Sequence, residues 1–178
     1  MAEQEIFDVA VIGAGPAGLI AGAACAKLSL RTVVIGPPSN PLDQRTSALF
    51  GGSIELLKKL EIWDRLRTQS EPITGIRIVD GSANLIRAPE VLFDAHEAGF
   101  EAFGYNIPNV ALVEALEATS RASHTRVAAG VTRVDIGTDF VTLTCGDEAT
   151  VTAKLAVAAD GRRSSVRAAA GIEISSWS

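Results

Sequence analysis

The stretch IFDVAVIGAGPAGLIAGAACAKLSLRTVVIG, residues 6–36, decides the fold. Ile6 to Ile12 is almost wholly apolar and rich in β-branched side chains, the pattern of a strand covered on both faces of a parallel sheet. Pro16, whose fixed φ suits the first turn of a helix, opens an Ala- and Leu-rich run from Ala17 to Leu28 with no polar face. Such a helix has to be packed between layers. Ser29 to Arg31 ends it, and Thr32 to Ile35 is a second apolar β-branched run, closed by Gly36, Pro37 and Pro38. Strand, helix and strand within about thirty residues predict a βαβ unit.

Gly13-Ala14-Gly15-Pro16-Ala17-Gly18 is GxGxxG in the one context where that motif carries meaning, directly after a strand and opening a helix. The first glycine permits the tight turn, and the second lets a pyrophosphate approach the backbone. The third lets helix and strand pack closely, and the helix N-terminus attracts the anion. The spacing predicts a dinucleotide over residues 13–18 and leaves FAD and NAD both open. The acid that usually grips the adenosine ribose about 20 residues on is missing. Gly36 stands there, with Ser39, Asn40 and Asp43 as nearby substitutes.

The chain has 178 residues, 47% hydrophobic and 21% charged, enough to bury a core without disulfide staples. A net charge of −5 removes the electrostatic footprint of a polyanion binder, so no nucleic-acid partner is expected. Cys25 and Cys145 belong to no CxxC or Cys/His cluster and read as reduced, small apolar residues of a cytoplasmic protein. The uncharged run from Val9 to Ala26 is long enough to resemble a membrane span. However, it is flanked by Glu3, Glu5 and Asp8 and interrupted by Gly13, Gly15, Pro16 and Gly18. His96 and His124 lack partners at metal-ligand spacing and read as surface or loop histidines, and Ser47, Ser53 and Ser164 lack a His/Asp context. No metal site and no catalytic side chain are assigned.

Farther along, Ser53 is placed to cap a helix carrying Leu56, Leu60 and Trp63 at helical spacing. Residues 73–79 alternate, and Asp80-Gly81 is expected to turn them back toward Leu85 and Ile86. Ala88 to Tyr105 reads as mostly loop. Asn109 is expected to cap a helix reaching about Arg121, with Leu112, Val113 and Leu116 inward. Arg126 to Ala129 fits a buried strand. Val131 to Ile136, Val141 to Cys145 and Ala149 to Ala153 fit a three-stranded antiparallel meander turned at Gly137 and Gly146. Leu155 to Ala159 is again continuously apolar, a return strand to the first sheet.

That return strand ends on Asp160-Gly161-Arg162-Arg163-Ser164-Ser165-Val166-Arg167. In isolation this is a strand, a turn formed by Asp160 and a helix capped by Ser164. Together with GxGxxG it resembles the flavoprotein aromatic hydroxylases of the para-hydroxybenzoate hydroxylase fold. Their second fingerprint is a strand followed by Asp-Gly, with Ser three and Arg six residues after the Gly: here Asp160, Gly161, Ser164 and Arg167. Asp43-Gln44-Arg45-Thr46-Ser47-Ala48-Leu49, with Gly104-Tyr105 and Asn109, narrows the resemblance to the UbiH-like ubiquinone-biosynthesis hydroxylase branch.

The resemblance implies an α/β fold, a Rossmann-like FAD-binding βαβ with a parallel sheet plus the antiparallel meander. It implies FAD as cofactor, NAD(P)H as co-substrate and a phenolic or polyprenyl small molecule as substrate of a monooxygenase. It carries cofactor contact onto Gly13, Gly15, Pro16, Ala17, Gly18, Asp160, Gly161 and Arg167, and places Arg45 and the Asn109 segment against the flavin. Arg162, Arg163 and Arg167 suit the phosphates of a nicotinamide dinucleotide or, equally, a solvated helix face. Peripheral membrane contact of the parent protein and oligomerisation stay open.

The resemblance spans the whole chain but only the first part of the family pattern, since nothing matches the later Gly-Asp fingerprint. The chain therefore reads as an N-terminal fragment, one truncated FAD-binding domain with the substrate domain largely missing. Its boundary toward the substrate-facing segment falls at roughly 73–105, and it is expected to be inactive by itself. The competing readings are a non-catalytic flavin- or nucleotide-binding module and an NAD-dependent dehydrogenase.

Overall fold

The computed structural model describes residues 5–120, 124–146 and 148–175. In chain order the elements are β1 (Ile6–Ile12), α1 (Pro16–Lys27), β2 (Thr32–Ile35), β3 (Thr46–Phe50), α2 (Gly51–Lys59) and α3 (Trp63–Leu66). A 3-10 turn over Arg67–Gln69 leads to β4 (Glu71–Pro72), β5 (Gly75–Ile78), β6 (Val91–Asp94) and β7 (Gly104–Pro108). There follow α4 (Asn109–Ser120), β8 (Thr125–Val127), β9 (Val131–Ile136), β10 (Val141–Cys145), β11 (Thr150–Ala158) and α5 (Ser165–Ala169). The chain divides into two units, Met1–Asp43 with Leu112–Ser178, and Gln44–Ala111.

The first unit holds one six-stranded sheet in the order β8-β2-β1-β11-β10-β9. β8, β2, β1 and β11 run parallel, β10 is antiparallel to β11, and β9 is antiparallel to β10. The runs 149–153 and 155–159, read from sequence as two strands, are one. β11 pairs antiparallel with β10 through Thr150 to Ala153 and parallel with β1 through Thr152 to Ala158. No turn residue separates them, so the meander and the parallel sheet share a strand.

β1 and β2 are buried on both faces, as their unbroken apolar sequence requires. Val11 pairs with Val34, and Ala10 with Val33. The Val34 face meets α1, where a Cβ on Gly22 would lie 2.4 Å from Val34 Cγ2. Helix and strand touch there because the helix carries no side chain at that position. Leu19 is fully buried. On the opposite face Phe7, Ala10, Ile12, Val33 and Ile35 form one cluster with Leu143, Cys145, Val151, Ala153 and Val166. The C-terminal half of β11 departs from the expected burial: Leu155 is exposed. Cys145 is buried and Cys25 half-buried, and neither is in a disulfide.

The second unit contains an antiparallel sheet, β3-β7-β4, and the hairpin β5-β6. Three expectations change here. The helix placed from Ser53 to Trp63 starts at Gly51, with Phe50 rather than Ser53 before its first turn. It stops because Glu61 takes a left-handed φ of 62°, and α3 restarts at Trp63. The break lets Trp63 meet Tyr105 edge-on at 4.8 Å, a contact worth about 1 kcal/mol beyond its area.

The strand from Gly75 returns at Val91, not at Leu85 and Ile86, and residues 88–105 are not mostly loop, since they contain β6 and the start of β7. Asp80 is the cause. Its carboxylate accepts from Ser82 N at 2.9 Å and from Ala88 N at 3.0 Å, eight residues on, and so builds a wide loop in place of a tight turn. Leu85 and Ile86 lie in that loop, fully exposed.

In α4 the inward residues Leu112, Val113 and Leu116 are buried as expected, but Asn109 is the first helical residue instead of the residue preceding the helix. The expected end near Arg121 lies outside the described residues. β8 covers Thr125 to Val127 and leaves Ala128 and Ala129 out. Among the described residues no helix is long and apolar enough to cross a membrane.

Candidate functional site

The C-terminal ends of β2, β1 and β11 lie side by side in the first unit, where open α/β sheets take their ligands. Gly13 N donates to Ile35 O at 2.7 Å, and Ala159 N donates to Ile12 O at 2.7 Å, so the glycine loop is stitched to both neighbours. Gly13 has a φ of 117°, and a Cβ on it would sit 2.1 Å from Ala159 O. A Cβ on Gly18 would sit 1.8 Å from Gly13 O. Neither position can carry a side chain.

Gly15 is different in kind. Its φ of −77° and ψ of 178° suit any residue, and a Cβ there would meet nothing within 4 Å. The backbone at Gly15 therefore borders open space, and Gly15 is also the N-cap of α1, with Pro16 and Ala17 opening the helix. The first amides of a helix have no intrahelical acceptor and carry positive potential. The motif thus separates into two glycines that let the protein close on itself and one that leaves room for something else.

The structure brings the second fingerprint to the same place. Asp160 follows β11, and its backbone N is 2.8 Å from the position of a Cβ on Gly13. Gly161, at a φ of 85°, turns the chain toward α5. Asp160 Oδ2 accepts from Ser165 N at 2.7 Å, Ser165 Oγ at 3.1 Å and Val166 N at 3.4 Å. Asp160 Oδ1 is buried, and among the described residues it has no hydrogen-bond partner. Ser164 caps α5 as expected, its Oγ accepting from Arg167 N at 3.0 Å. The Arg167 guanidinium donates to Arg162 O at 3.3 Å and lines an open groove of about 440 Å³ with Ser164, Ala156, Ala158 and Ile172.

Burial opposes ionisation of Asp160, but the Ser164 hydroxyl and the bonds from Ser165 and Val166 outweigh it and hold the pKa below the ordinary carboxylate value. A depressed folded-state pKa means that the unfolded chain takes up the proton first as pH falls. Asp160 therefore stabilises the fold above the ordinary carboxylate pKa near 4, and that contribution is lost as pH drops through the lower folded value. Asp160→Asn is expected to lower the melting temperature at neutral pH and to flatten its decline below about pH 4. Melting curves at stepped pH check this, and parallel acid limbs would refute it.

Arg45 and Asn109 lie in the second unit and are brought together there. Asn109 N donates to Arg45 O at 2.9 Å, and Ser47 Oγ donates to Asn109 Oδ1 at 2.7 Å. The Arg45 side chain is exposed.

One residue escaped the sequence reading of the site. The Arg126 guanidinium, through Nη1, donates to Gly36 O at 2.9 Å, Val127 O at 2.9 Å and Val34 O at 3.3 Å. A cation is thus fixed at the end of β2 where the ribose acid is missing. Its signal was a charged residue inside a short apolar strand, visible only beside Gly36. Of the proposed substitutes for the acid, Asn40 is engaged locally, its Oδ1 accepting from Leu42 N at 2.9 Å. His124, read as a surface or loop histidine, is half-buried against the Gly22 position of α1. Burial and then the Arg126 charge hold its pKa below the ordinary value.

Residues 6–178 match the family model described as FAD binding domain. The chain is 36% identical over 183 residues to the ubiquinone hydroxylase UbiL of Rhodospirillum rubrum, covering 96% of this chain and 41% of that protein. It is 29% identical over 183 residues to the 3-demethoxyubiquinol 3-hydroxylase of Escherichia coli, covering 96% and 45%. The chain thus spans less than half the length of these curated relatives. Its fold matches the crystal structure of p-nitrophenol 4-monooxygenase PnpA from Pseudomonas putida with a TM-score of 0.75 at 22% identity, over 95% of this chain and 44% of that one.

Proposed function

The chain belongs to the FAD binding domain family, and from that premise we propose that it is the FAD-holding part of a flavin monooxygenase that hydroxylates a phenolic polyprenyl ring in ubiquinone biosynthesis, with NAD(P)H as co-substrate. The supporting observation is the pairing, on adjacent strand ends, of a backbone that borders open space at Gly15 with a carboxylate oxygen of Asp160 that is buried and unpartnered. The first suits a pyrophosphate and the second a hydroxyl donor, so the residues present fit a dinucleotide of FAD's chemistry.

In this reading Gly13, Gly15, Pro16, Ala17 and Gly18 hold the pyrophosphate over the start of α1. Asp160, Gly161 and Arg167 hold the ribityl side, while Arg45 and the Asn109 segment border the flavin ring. The segment at roughly 73–105 leads toward the substrate. FAD supplies electron transfer from NAD(P)H and activation of O2, and the chain's own work is to bind, orient and shield. The parent protein is proposed to be cytoplasmic, meeting its apolar substrate through peripheral membrane contact.

Titration with FAD, followed by flavin fluorescence and absorbance, is expected to show saturable binding, with NAD binding more weakly. Saturable NAD binding with no FAD binding would favour the dehydrogenase reading. In the full-length parent, Arg45→Ala is expected to weaken FAD binding about tenfold, consistent with loss of one charged hydrogen bond. An unchanged dissociation constant and flavin spectrum would contradict that role. Supplied with FAD, NADPH and a polyprenyl phenol, the 178 residues alone are expected to yield no hydroxylated product by mass spectrometry. Product formed in step with NADPH consumed would overturn that expectation.

A further inference from the structure

We propose that the adenosine end of this site is read by a cation: Arg126 stands in for the missing ribose acid, and the subsite takes an adenosine whose ribose carries a phosphate at least as readily as one whose ribose is bare. The proposal rests on the dinucleotide reading above and concerns the ligand's other end.

The first observation is steric. Gly36 occupies the ribose-acid position, and a Cβ on it would lie 2.7 Å from Ala14 N and 2.9 Å from Ala14 Cβ. The end of β2 is pressed so closely on the glycine loop that no carboxylate could be mounted there without moving the loop. The second is electrostatic. The Arg126 guanidinium is held on the carbonyls of Val34, Gly36 and Val127, so its charge is fixed in place at that strand end.

Burial lowers the pKa of Arg126, and Glu117 on α4 raises it. An arginine stays protonated through shifts of this kind. His124 beside it is pushed toward its neutral form, so it neither competes for an anion nor adds to the charge. In sites of this architecture a carboxylate selects the ribose hydroxyls and repels a 2′-phosphate, whereas a nearby arginine accommodates that phosphate. This chain has lost the first device and carries the second. FAD has no such phosphate, so a 2′-phosphorylated adenine nucleotide is expected to compete with FAD for the same cradle.

The experiment is calorimetric titration of the protein with 5′-ADP and with adenosine 2′,5′-bisphosphate, repeated for Arg126→Ala and Arg126→Lys, with circular dichroism to confirm that each variant is folded. The unchanged protein should bind the bisphosphate at least as tightly as ADP. Arg126→Ala should weaken the bisphosphate about tenfold and ADP by less than about twofold, and Arg126→Lys, which keeps the charge, should fall between. ADP binding with no bisphosphate binding, or equal losses for both ligands in folded Arg126→Ala, would overturn the proposal and leave the dinucleotide reading intact. Binding of neither ligand by the folded, unchanged protein would overturn both.

Discussion

Gly15→Val is expected to reduce FAD affinity about a hundredfold or more, equivalent to roughly 3 kcal/mol, while the protein stays folded. Both halves of this result follow from one position. Gly15 has an extended backbone that valine adopts without strain, and its missing Cβ would touch no protein atom within 4 Å. The apo protein therefore has no reason to resist the change. A pyrophosphate drawn to the amides at the start of α1 does, because the isopropyl group fills the space through which it approaches the backbone. Flavin fluorescence titration and a thermal melt, run on the same sample, check both. An unaltered dissociation constant would mean that the pyrophosphate lies elsewhere, and a collapsed melt would mean that Gly15 is structural.

Gly18→Val is expected to do the reverse and unfold the first unit. Its Cβ would be placed 1.8 Å from Gly13 O and 2.8 Å from Gly13 C, and both are backbone atoms that cannot swing aside like the end of a side chain. Relief requires lifting α1 off the end of β1, which uncovers Leu19 and the Val11 and Val34 face. The cost should exceed about 4 kcal/mol, a large share of the stability of any single domain. Urea denaturation is the measurement, and a native-like midpoint would show that the loop is far more pliant than this packing implies. The two substitutions are three positions apart in one motif, yet one is expected to lose the ligand and the other the fold.

The elements that were legible in the sequence are those whose causes are local. The β1-α1-β2 unit announces itself because two doubly buried strands and a helix without a polar face leave few other solutions, and the glycine spacing states its own chemistry. The second fingerprint was readable for the same reason, down to Ser164 capping α5. What escaped depends on partners distant in sequence. Nothing near Asp80 shows that its carboxylate will hold Ala88 N and so postpone the return strand to Val91. Nothing around Trp63 shows that a turn at Glu61 will free it to meet Tyr105. Arg126 reads as a misplaced charge in a buried strand until β8 is laid against β2.

β11 gives the molecule a history as well as a shape. Ile6, the first residue of β1, pairs with Thr152, and Ile12 with Ala158, across nearly the whole chain. At a synthesis rate of roughly 5–20 residues per second, β1 waits on the order of 10 s or more after leaving the ribosome for the strand that completes its sheet. During that interval an apolar strand with an unpaired edge is presented to the cell, the condition under which chaperones are recruited and aggregation begins. The glycine loop also lacks Asp160 until then, so no shorter nascent chain brings the two fingerprints together. If these residues hold the cofactor as proposed above, capture of FAD is expected only after β11 has joined the sheet.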